Sequence, residues 1–205
     1  ESAAAAAGVV TSLMEMPNTI PNALTLDLLE DKYRIGAATS AVNYSFYMGV
    51  SNTNAEEVLK VNKHKEDICG VKIFMGSSTG NMLVNDPVTL NRIFGDSELL
   101  IATHCEDEGR IHRNWQQLLD SGVEPGPAHH PVIRDAEACY LSSLYAVQLA
   151  TKNQTRLHIL HISTADELPL FGKMMPLQEK RITAEGWVHH LHFTAEDYAG
   201  LGYAR

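Results

Sequence analysis

The sequence predicts an α/β fold, a TIM-type (β/α)8 barrel of which about six of the eight βα units are present. Short apolar runs of β character alternate with segments of helical spacing, mostly about 25–35 residues apart, as in βα units that form a parallel sheet. Three of these runs contain or end in a potential metal ligand: Lys72, His104 and His161. Barrel active sites lie at the carboxyl ends of the strands, so these residues indicate a metal site at the barrel mouth.

The predicted strands are apolar runs rich in β-branched and aromatic residues and bounded by turn-forming residues. They cover residues 9–16, 42–48, 71–75, 99–103, 157–160 and 182–188. The run 157–160 is short and continuously apolar apart from one histidine, which is typical of a strand that is buried in a parallel sheet.

Helical segments are predicted between these strands. An Ala-rich stretch over 2–7, closed by Gly8 as a C-cap, reads as the end of a helix whose beginning precedes the sequence. The turn 17–22 contains two prolines and opens the next helix. Apolar residues at helical spacing then predict helices over 23–36, 55–64, 86–94, 108–119, 133–151 and 164–171.

The length favours one incomplete barrel domain over residues 1–205. A complete barrel has eight βα units and typically about 250 residues, whereas this chain has 205. The first and eighth strands are therefore expected to be missing. A doubly wound parallel sheet is the structural alternative, but no Gly-x-Gly-x-x-Gly follows the first strand.

The composition is that of an ordinary globular domain, with 44% hydrophobic and 20% charged residues. A net charge of −9 without a basic stripe disfavours nucleic acid and anionic membranes as partners. No apolar run approaches the roughly 20 residues that span a bilayer. Cys69, Cys105 and Cys139 are widely spaced and form no Cys-x-x-Cys pair, so we expect a reducing, cytoplasmic location.

Lys72 has two interpretations from its neighbours alone. A lysine in a buried strand is costly unless its ammonium is paired or neutral. In the first interpretation, the ammonium reaches the barrel mouth or meets a carboxylate. In the second, adjacent cations lower the pKa of the amine, which adds CO2 and becomes an anionic carbamate that bridges two metal ions.

Two histidines are predicted metal ligands because each lies directly after an apolar strand. His104 follows the run 99–103, and His161 follows the run 157–160. His158 lies three residues before His161, and side chains alternate along a strand, so the two histidines are expected to face opposite sides. We therefore predict that His161 is the ligand and that His158 only forms part of the barrel wall.

Five further histidines, in two clusters, are expected to be surface or loop residues. His190 and His192 have a spacing that would let two strand histidines share zinc, and His189 precedes them. Their segment has turn and helix character, however, so the spacing does not place them on one face of a strand. His129 and His130 lie in a loop rich in proline and glycine and are expected to be solvated.

Seven stretches, taken together and in this order, resemble the cyclic amidohydrolases, and among them the dihydroorotases. They are Met-Glu-Met-Pro-Asn-Thr (14–19), Val-Lys-Ile-Phe-Met-Gly-Ser-Ser-Thr-Gly (71–80), Ala-Thr-His-Cys-Glu (102–106), His-Pro-Val-Ile-Arg (130–134), Glu-Ala-Cys-Tyr (137–140), Leu-His-Ile-Leu-His-Ile-Ser-Thr (157–164) and Val-His-His-Leu (188–191). Each stretch alone is unspecific, whereas the combination is specific.

The resemblance implies a metal-dependent hydrolase barrel that reversibly hydrolyses the cyclic amide of dihydroorotate to N-carbamoyl-aspartate in pyrimidine biosynthesis. It implies that Lys72 is carboxylated and bridges two divalent ions, expected to be zinc, and that a metal-bridged hydroxide attacks the ring. His104 and His161 would bind the more exposed ion, and Asn18 would hydrogen-bond the carboxylate of this small-molecule substrate. Members of the family are typically homodimers, so the resemblance also implies a homodimer.

Two parts of the family's site have no counterpart in this sequence. They are a first-strand His-x-His with a nearby arginine, and an eighth-strand aspartate that binds metal and shuttles the proton. No catalytic residue is therefore predicted within the chain, and the 205 residues alone are expected to bind zinc poorly and to be inactive.

Three alternatives stay open. An allantoinase or a dihydropyrimidinase would share Lys72, His104 and His161, although the turn Met-Pro-Asn-Thr at 16–19 favours dihydroorotase. A non-catalytic barrel homologue would act as a scaffold. A metal-free structural domain would keep Lys72 as an ordinary amine.

Overall fold

The computed structural model of the chain describes residues 1–76, 78 and 80–202. Its strands are β1 (Ser12–Glu15), β2 (Asn43–Gly49), β3 (Gly70–Phe74), β4 (Ile101–His104), β5 (Leu157–Ile159) and β6 (Ile182–Ala184). Its helices are α1 (Ser2–Ala7), α2 (Leu26–Thr39), α3 (Ala55–Val58), α4 (Pro87–Asp96), α5 (Glu108–Asp120), α6 (His130–Ile133), α7 (Ala136–Asn153), α8 (Val188–His192) and α9 (Asp197–Leu201). Ser77 and Thr79 of the predicted motif lie outside the described residues.

The strands form one parallel sheet in the order β1-β2-β3-β4-β5-β6, so each strand pairs with its neighbours in sequence. A doubly wound sheet reverses its strand order at a switch point, and no reversal occurs among the described strands. The sheet curls into part of a TIM barrel with helices around it. The predicted fold class is thus confirmed. None of the helices in the described ranges has both the length and the apolar character of a membrane span.

The ends of several elements differ from the sequence-based prediction. Residues 9–11 are not part of β1 because Val9 has a left-handed φ of 65° and the Val10 amide donates to Ala5 in α1. Gly8 caps α1 with a φ of −85°, so Val9 rather than the glycine takes the left-handed conformation. Residues 165–170 form a 3-10 helix that contains Pro169, whose missing amide hydrogen disfavours an α-helix there.

The outer face of the sheet carries the main apolar core, which packs against the helices. Val71 and Ile73 of β3 are fully buried on this face, as are Ile101 of β4 and Leu157 of β5. At about 1.5–3 kcal/mol for each fully buried aliphatic side chain, this face contributes much of the favourable free energy of folding. The helices therefore fix the positions at which the strands end.

The inner face carries the polar residues, because side chains alternate along each strand. Strand pairing aligns Gly49, Lys72, Ala102, His158 and Thr183 in one row across five strands. Residues that are paired in neighbouring parallel strands project to the same side of the sheet. The row therefore lies inside the partial barrel, with the small residues Gly49 and Ala102 on either side of Lys72.

Candidate metal centre

Lys72 is buried on the inner face of β3, with 1% of its surface exposed. Its Nζ donates to the carbonyl of Ile73 at 3.1 Å and lies 4.1 Å from the centroid of the Phe74 ring. Within the described residues, no carboxylate pairs with it. Burial lowers the pKa of the amine to about 7. The cause among the described residues is loss of solvation, and a further lowering by adjacent cations stays a prediction.

His104 and His161 come into direct contact at the carboxyl ends of β4 and β5. His104 Nδ1 lies 3.4 Å from His161 Nε2, and the ring centroids are 5.0 Å apart. Burial, followed by the smaller effects of nearby His104 and Lys72, lowers the pKa of His161 to about 4. His161 is therefore neutral at pH 7 and has a lone pair available for a metal ion.

A backbone kink turns His161 toward His104. The strand β5 ends at Ile159, and His161 has a φ of 39°, in the left-handed region. His158 remains on the inner face in the row of Lys72 and binds Thr183 Oγ1 through Nδ1 at 2.8 Å and Glu185 through Nε2 at 3.3 Å. The two histidines thus avoid the strict alternation that the sequence analysis assumed, because the strand ends before His161.

We expect asparagine to be tolerated better than alanine at position 161. Asparagine adopts the left-handed region more readily than alanine, so H161N should be more stable than H161A by about 1 kcal/mol in free energy of unfolding. Urea denaturation of the metal-free variants measures this difference. H158N and H158A are the matched control pair, because His158 lies in regular β structure and gives asparagine no such advantage. Equal stabilities of H161N and H161A would contradict a strained backbone at this position.

Glu106 contacts the other nitrogen of the His104 ring. One carboxylate oxygen accepts from His104 Nε2 at 2.9 Å and also from Arg134 Nη1. Its side chain is 10% exposed. Burial alone would raise the pKa of Glu106, but the hydrogen bonds from His104 and Arg134 outweigh it and lower the pKa to about 2. Glu106 is therefore an anion at any physiological pH.

The loop after β3 packs directly on the backbone of Glu106. A Cβ atom at Gly76 would lie 2.6 Å from the Glu106 carbonyl oxygen and 2.9 Å from its amide nitrogen. Glycine is thus required here for the close approach of two loops. This contact helps fix the position of the Glu106 side chain relative to β3, the strand that carries Lys72.

The two histidines line a cavity of about 190 Å³ together with Glu106, Arg134 and His190. A larger cavity of about 630 Å³ also has Arg134 and His190 in its wall. The two cavities share part of their lining and lie at the carboxyl ends of the strands, where barrel enzymes bind their substrates.

Sequence reasoning placed His190 with its neighbours on the surface. His189 and His192 are indeed exposed, but His190 is half-buried in α8. Its ring stacks on Trp187 at 5.6 Å and lies 6.5 Å from the His161 ring, and its Nδ1 is buried without a hydrogen-bond partner among the described residues. The sequence had no signal that distinguished it from the adjacent histidines.

Asn18 is exposed and follows the carboxyl end of β1. It is absent from the described lining of either cavity. A role in binding the substrate carboxylate therefore stays a prediction from the family resemblance. Arg134 and Glu106 were not predicted as site residues, although the His-x-Glu spacing of His104 and Glu106 at a strand end could have indicated a contact.

The two histidines fit one zinc ion. In tetrahedral coordination with Zn–N bonds of about 2.0–2.1 Å, two nitrogen ligands lie about 3.3–3.4 Å apart. His104 Nδ1 and His161 Nε2 are separated by 3.4 Å. Within the described residues, no cluster of three or more His, Cys, Asp or Glu side chains is arranged for metal binding. A further protein ligand near these two histidines would have to come from Lys72 after carboxylation or from residues outside the described part of the chain.

Comparison with known proteins gives relatives over nearly the whole chain. It is 29% identical to the dihydroorotase of Methanosarcina acetivorans over 208 residues, which cover 98% of this chain and 43% of that protein. It is 29% identical to the allantoinase of Deinococcus radiodurans over 211 residues, 98% of this chain and 45% of the relative. It is 30% identical to the allantoinase of Streptomyces avermitilis over 204 residues, which cover 95% of this chain and 43% of that protein. No family model matches.

Solved structures show the same fold. The L-hydantoinase of Arthrobacter aurescens superposes with a TM-score of 0.86 at 23% identity. The superposed region covers 98% of this chain and 44% of the hydantoinase chain. The dihydroorotase of Saccharomyces cerevisiae gives a TM-score of 0.65 at 16% identity, with coverage of 93% and 52%.

The class of structure is therefore a partial TIM barrel, the fold that the chain shares with these hydantoinase and dihydroorotase structures. The sequence relatives are dihydroorotases, allantoinases and an L-hydantoinase, so the resemblance to cyclic amidohydrolases is confirmed. The chain spans less than half the length of these relatives.

Proposed function

We propose that the complete protein containing this chain is a cyclic amide hydrolase, and specifically a dihydroorotase that interconverts dihydroorotate and N-carbamoyl-aspartate. One observation carries the proposal. Among the described residues, Lys72 is a buried amine with no carboxylate partner and lies close enough to His161 to help lower the pKa of that ring, and the facing nitrogens of His104 and His161 are 3.4 Å apart. Similarity to a dihydroorotase over 98% of the chain supports the choice of reaction.

In this proposal the neutral amine of Lys72, whose pKa burial has lowered to about 7, forms an N–C bond to CO2 and releases one proton. The resulting carbamate would bridge two divalent ions, with His104 and His161 as ligands of one of them. Bound zinc would supply a hydroxide at neutral pH and polarise the ring carbonyl.

Three other residues of the chain would bind the substrate or orient the metal ligands. Glu106 holds the His104 ring through Nε2, and Arg134 holds Glu106. Asn18 would hydrogen-bond the substrate carboxylate, which would otherwise be costly to desolvate. No residue of this chain is proposed as the acceptor of the reaction's proton. The proposal also includes a small-molecule substrate, a cytoplasmic location and a homodimeric state.

The test compares three cyclic amides as substrates of the purified, zinc-loaded complete protein. We expect kcat/KM for dihydroorotate to exceed that for allantoin and dihydrouracil by at least ~100-fold, because a site built for a carboxylate discriminates strongly against rings that lack it. N18A should raise KM for dihydroorotate. Faster hydrolysis of allantoin would contradict the proposal and favour an allantoinase, a function that the 30% identity to the Streptomyces avermitilis enzyme keeps as the second candidate.

A further inference from the structure

The hydrogen bond between His104 and Glu106 determines which ring nitrogen carries the proton. Glu106 is a carboxylate and can only accept, so His104 Nε2, at 2.9 Å, must donate. In the neutral form of this ring, which is the form that binds a metal ion, the lone pair is then on Nδ1. That nitrogen faces His161 Nε2 at 3.4 Å, on the side where a shared metal ion would lie.

The same hydrogen bond determines the orientation of the ring. A free imidazole can exchange its proton between the two nitrogens and can rotate about the bond to Cβ. Either change would remove the lone pair from the side of His161. A proton on Nδ1 would occupy the position at which an ion must bind.

Glu106 is itself fixed from two directions. Arg134, at the C-terminal end of α6, donates to the same oxygen that accepts from His104. The backbone of Glu106 is held against Gly76, where a Cβ atom would be 2.6 Å from the carbonyl oxygen. The carboxylate therefore has little freedom to follow the ring if the ring moves.

We propose that Glu106, held by Arg134, is a positioning residue that locks His104 as the Nε2–H tautomer and presents its Nδ1 lone pair to a divalent ion. The inference rests on the proposed function, in which His104 is a metal ligand. Carboxylate partners of ligating histidines typically change metal affinity by about 10–100-fold when they are removed. A merely structural ion pair between Glu106 and Arg134 would change stability and leave metal affinity unaltered.

The first measurement needs no variant. Histidine-selective 15N NMR of the metal-free complete protein reports which nitrogen of each ring is protonated, and H104Q identifies the signal of His104. We expect His104 as the Nε2–H tautomer before any metal is added. An Nδ1–H tautomer would overturn the inference.

The second measurement is zinc affinity by competition with a chelator. E106L removes the acceptor and should weaken zinc binding by about 10–100-fold. E106Q keeps an acceptor oxygen of the same reach and should stay within about threefold of the wild type. E185Q is the matched control, because Glu185 contacts His158 rather than His104, and it should leave the affinity unchanged. E106L/R134L, which removes both members of the ion pair, replaces E106L if the single variant does not fold.

The outcomes separate this inference from the proposed function. If the wild type hydrolyses dihydroorotate and folded E106L binds zinc as tightly as the wild type, the inference fails and the function stands. If the wild type binds zinc with the expected tautomer and the expected loss in E106L but hydrolyses none of the three cyclic amides, the function fails and the positioning role stands. A wild-type protein that binds no zinc overturns both.

Discussion

Replacement of Lys72 by methionine is expected to reduce kcat/KM for ring hydrolysis by at least ~1,000-fold, because the variant loses the group proposed to bridge the two ions. Methionine has a similar length but cannot form a carbamate. Native mass spectrometry should detect the mass of one added CO2 on the wild type and none on K72M. K152M is the matched control, because Lys152 is exposed near the end of α7 and binds only Asn91 among the described residues. Residual activity of K72M above a tenth of the wild type would refute a bridging role.

The same variant is expected to be more stable than the wild type in metal-free, CO2-free buffer near neutral pH. The pKa of Lys72 is about 7 in the folded chain and 10.5 for an ordinary lysine. The unfolded state therefore binds more protons between these values, and wild-type stability rises with pH across the window. The loss of folding free energy caused by the buried amine is largest below pH 7. At pH 7 this loss amounts to about 4 kcal/mol, which is the largest gain in stability expected for K72M.

Urea denaturation of both proteins from about pH 6 to about pH 10 measures this difference. The free energy of unfolding of the wild type should approach that of K72M as the pH rises, while K152M should remain parallel to the wild type. Two parallel curves for K72M and the wild type would show that Lys72 is not destabilised by burial. Together the two experiments would show that the buried lysine is kept for chemistry at the expense of stability.

The barrel could be predicted from the sequence because its signals are local and repeated. Apolar runs such as Leu157–Ile159 fall where the strands are, and the intervening amphipathic segments are long enough to connect parallel neighbours. The end of a strand is harder to predict. His104 proved to be the last residue of β4 rather than the residue after it, and residues 9–11 lie outside β1.

The proximity of His104 and His161 was anticipated because carboxyl ends of parallel strands share one edge of the sheet. The contact partners Glu106 and Arg134 were not, because 28 residues separate them in sequence and their pairing depends on how α6 packs. The left-handed backbone of His161 also escaped prediction, since non-glycine residues adopt it rarely. The half-buried position of His190 depends on the packing of a five-residue helix, which no periodicity of that length can reveal.

The sequential strand order has a consequence for how the protein is made. Every strand from β2 onward pairs with one that the ribosome has already synthesised, so β-sheet formation can keep pace with translation. A fold whose strand order reverses must leave an early strand waiting for a later partner. Here the nascent chain can add one βα unit at a time, and His104 is in place before His161, which follows β5, emerges.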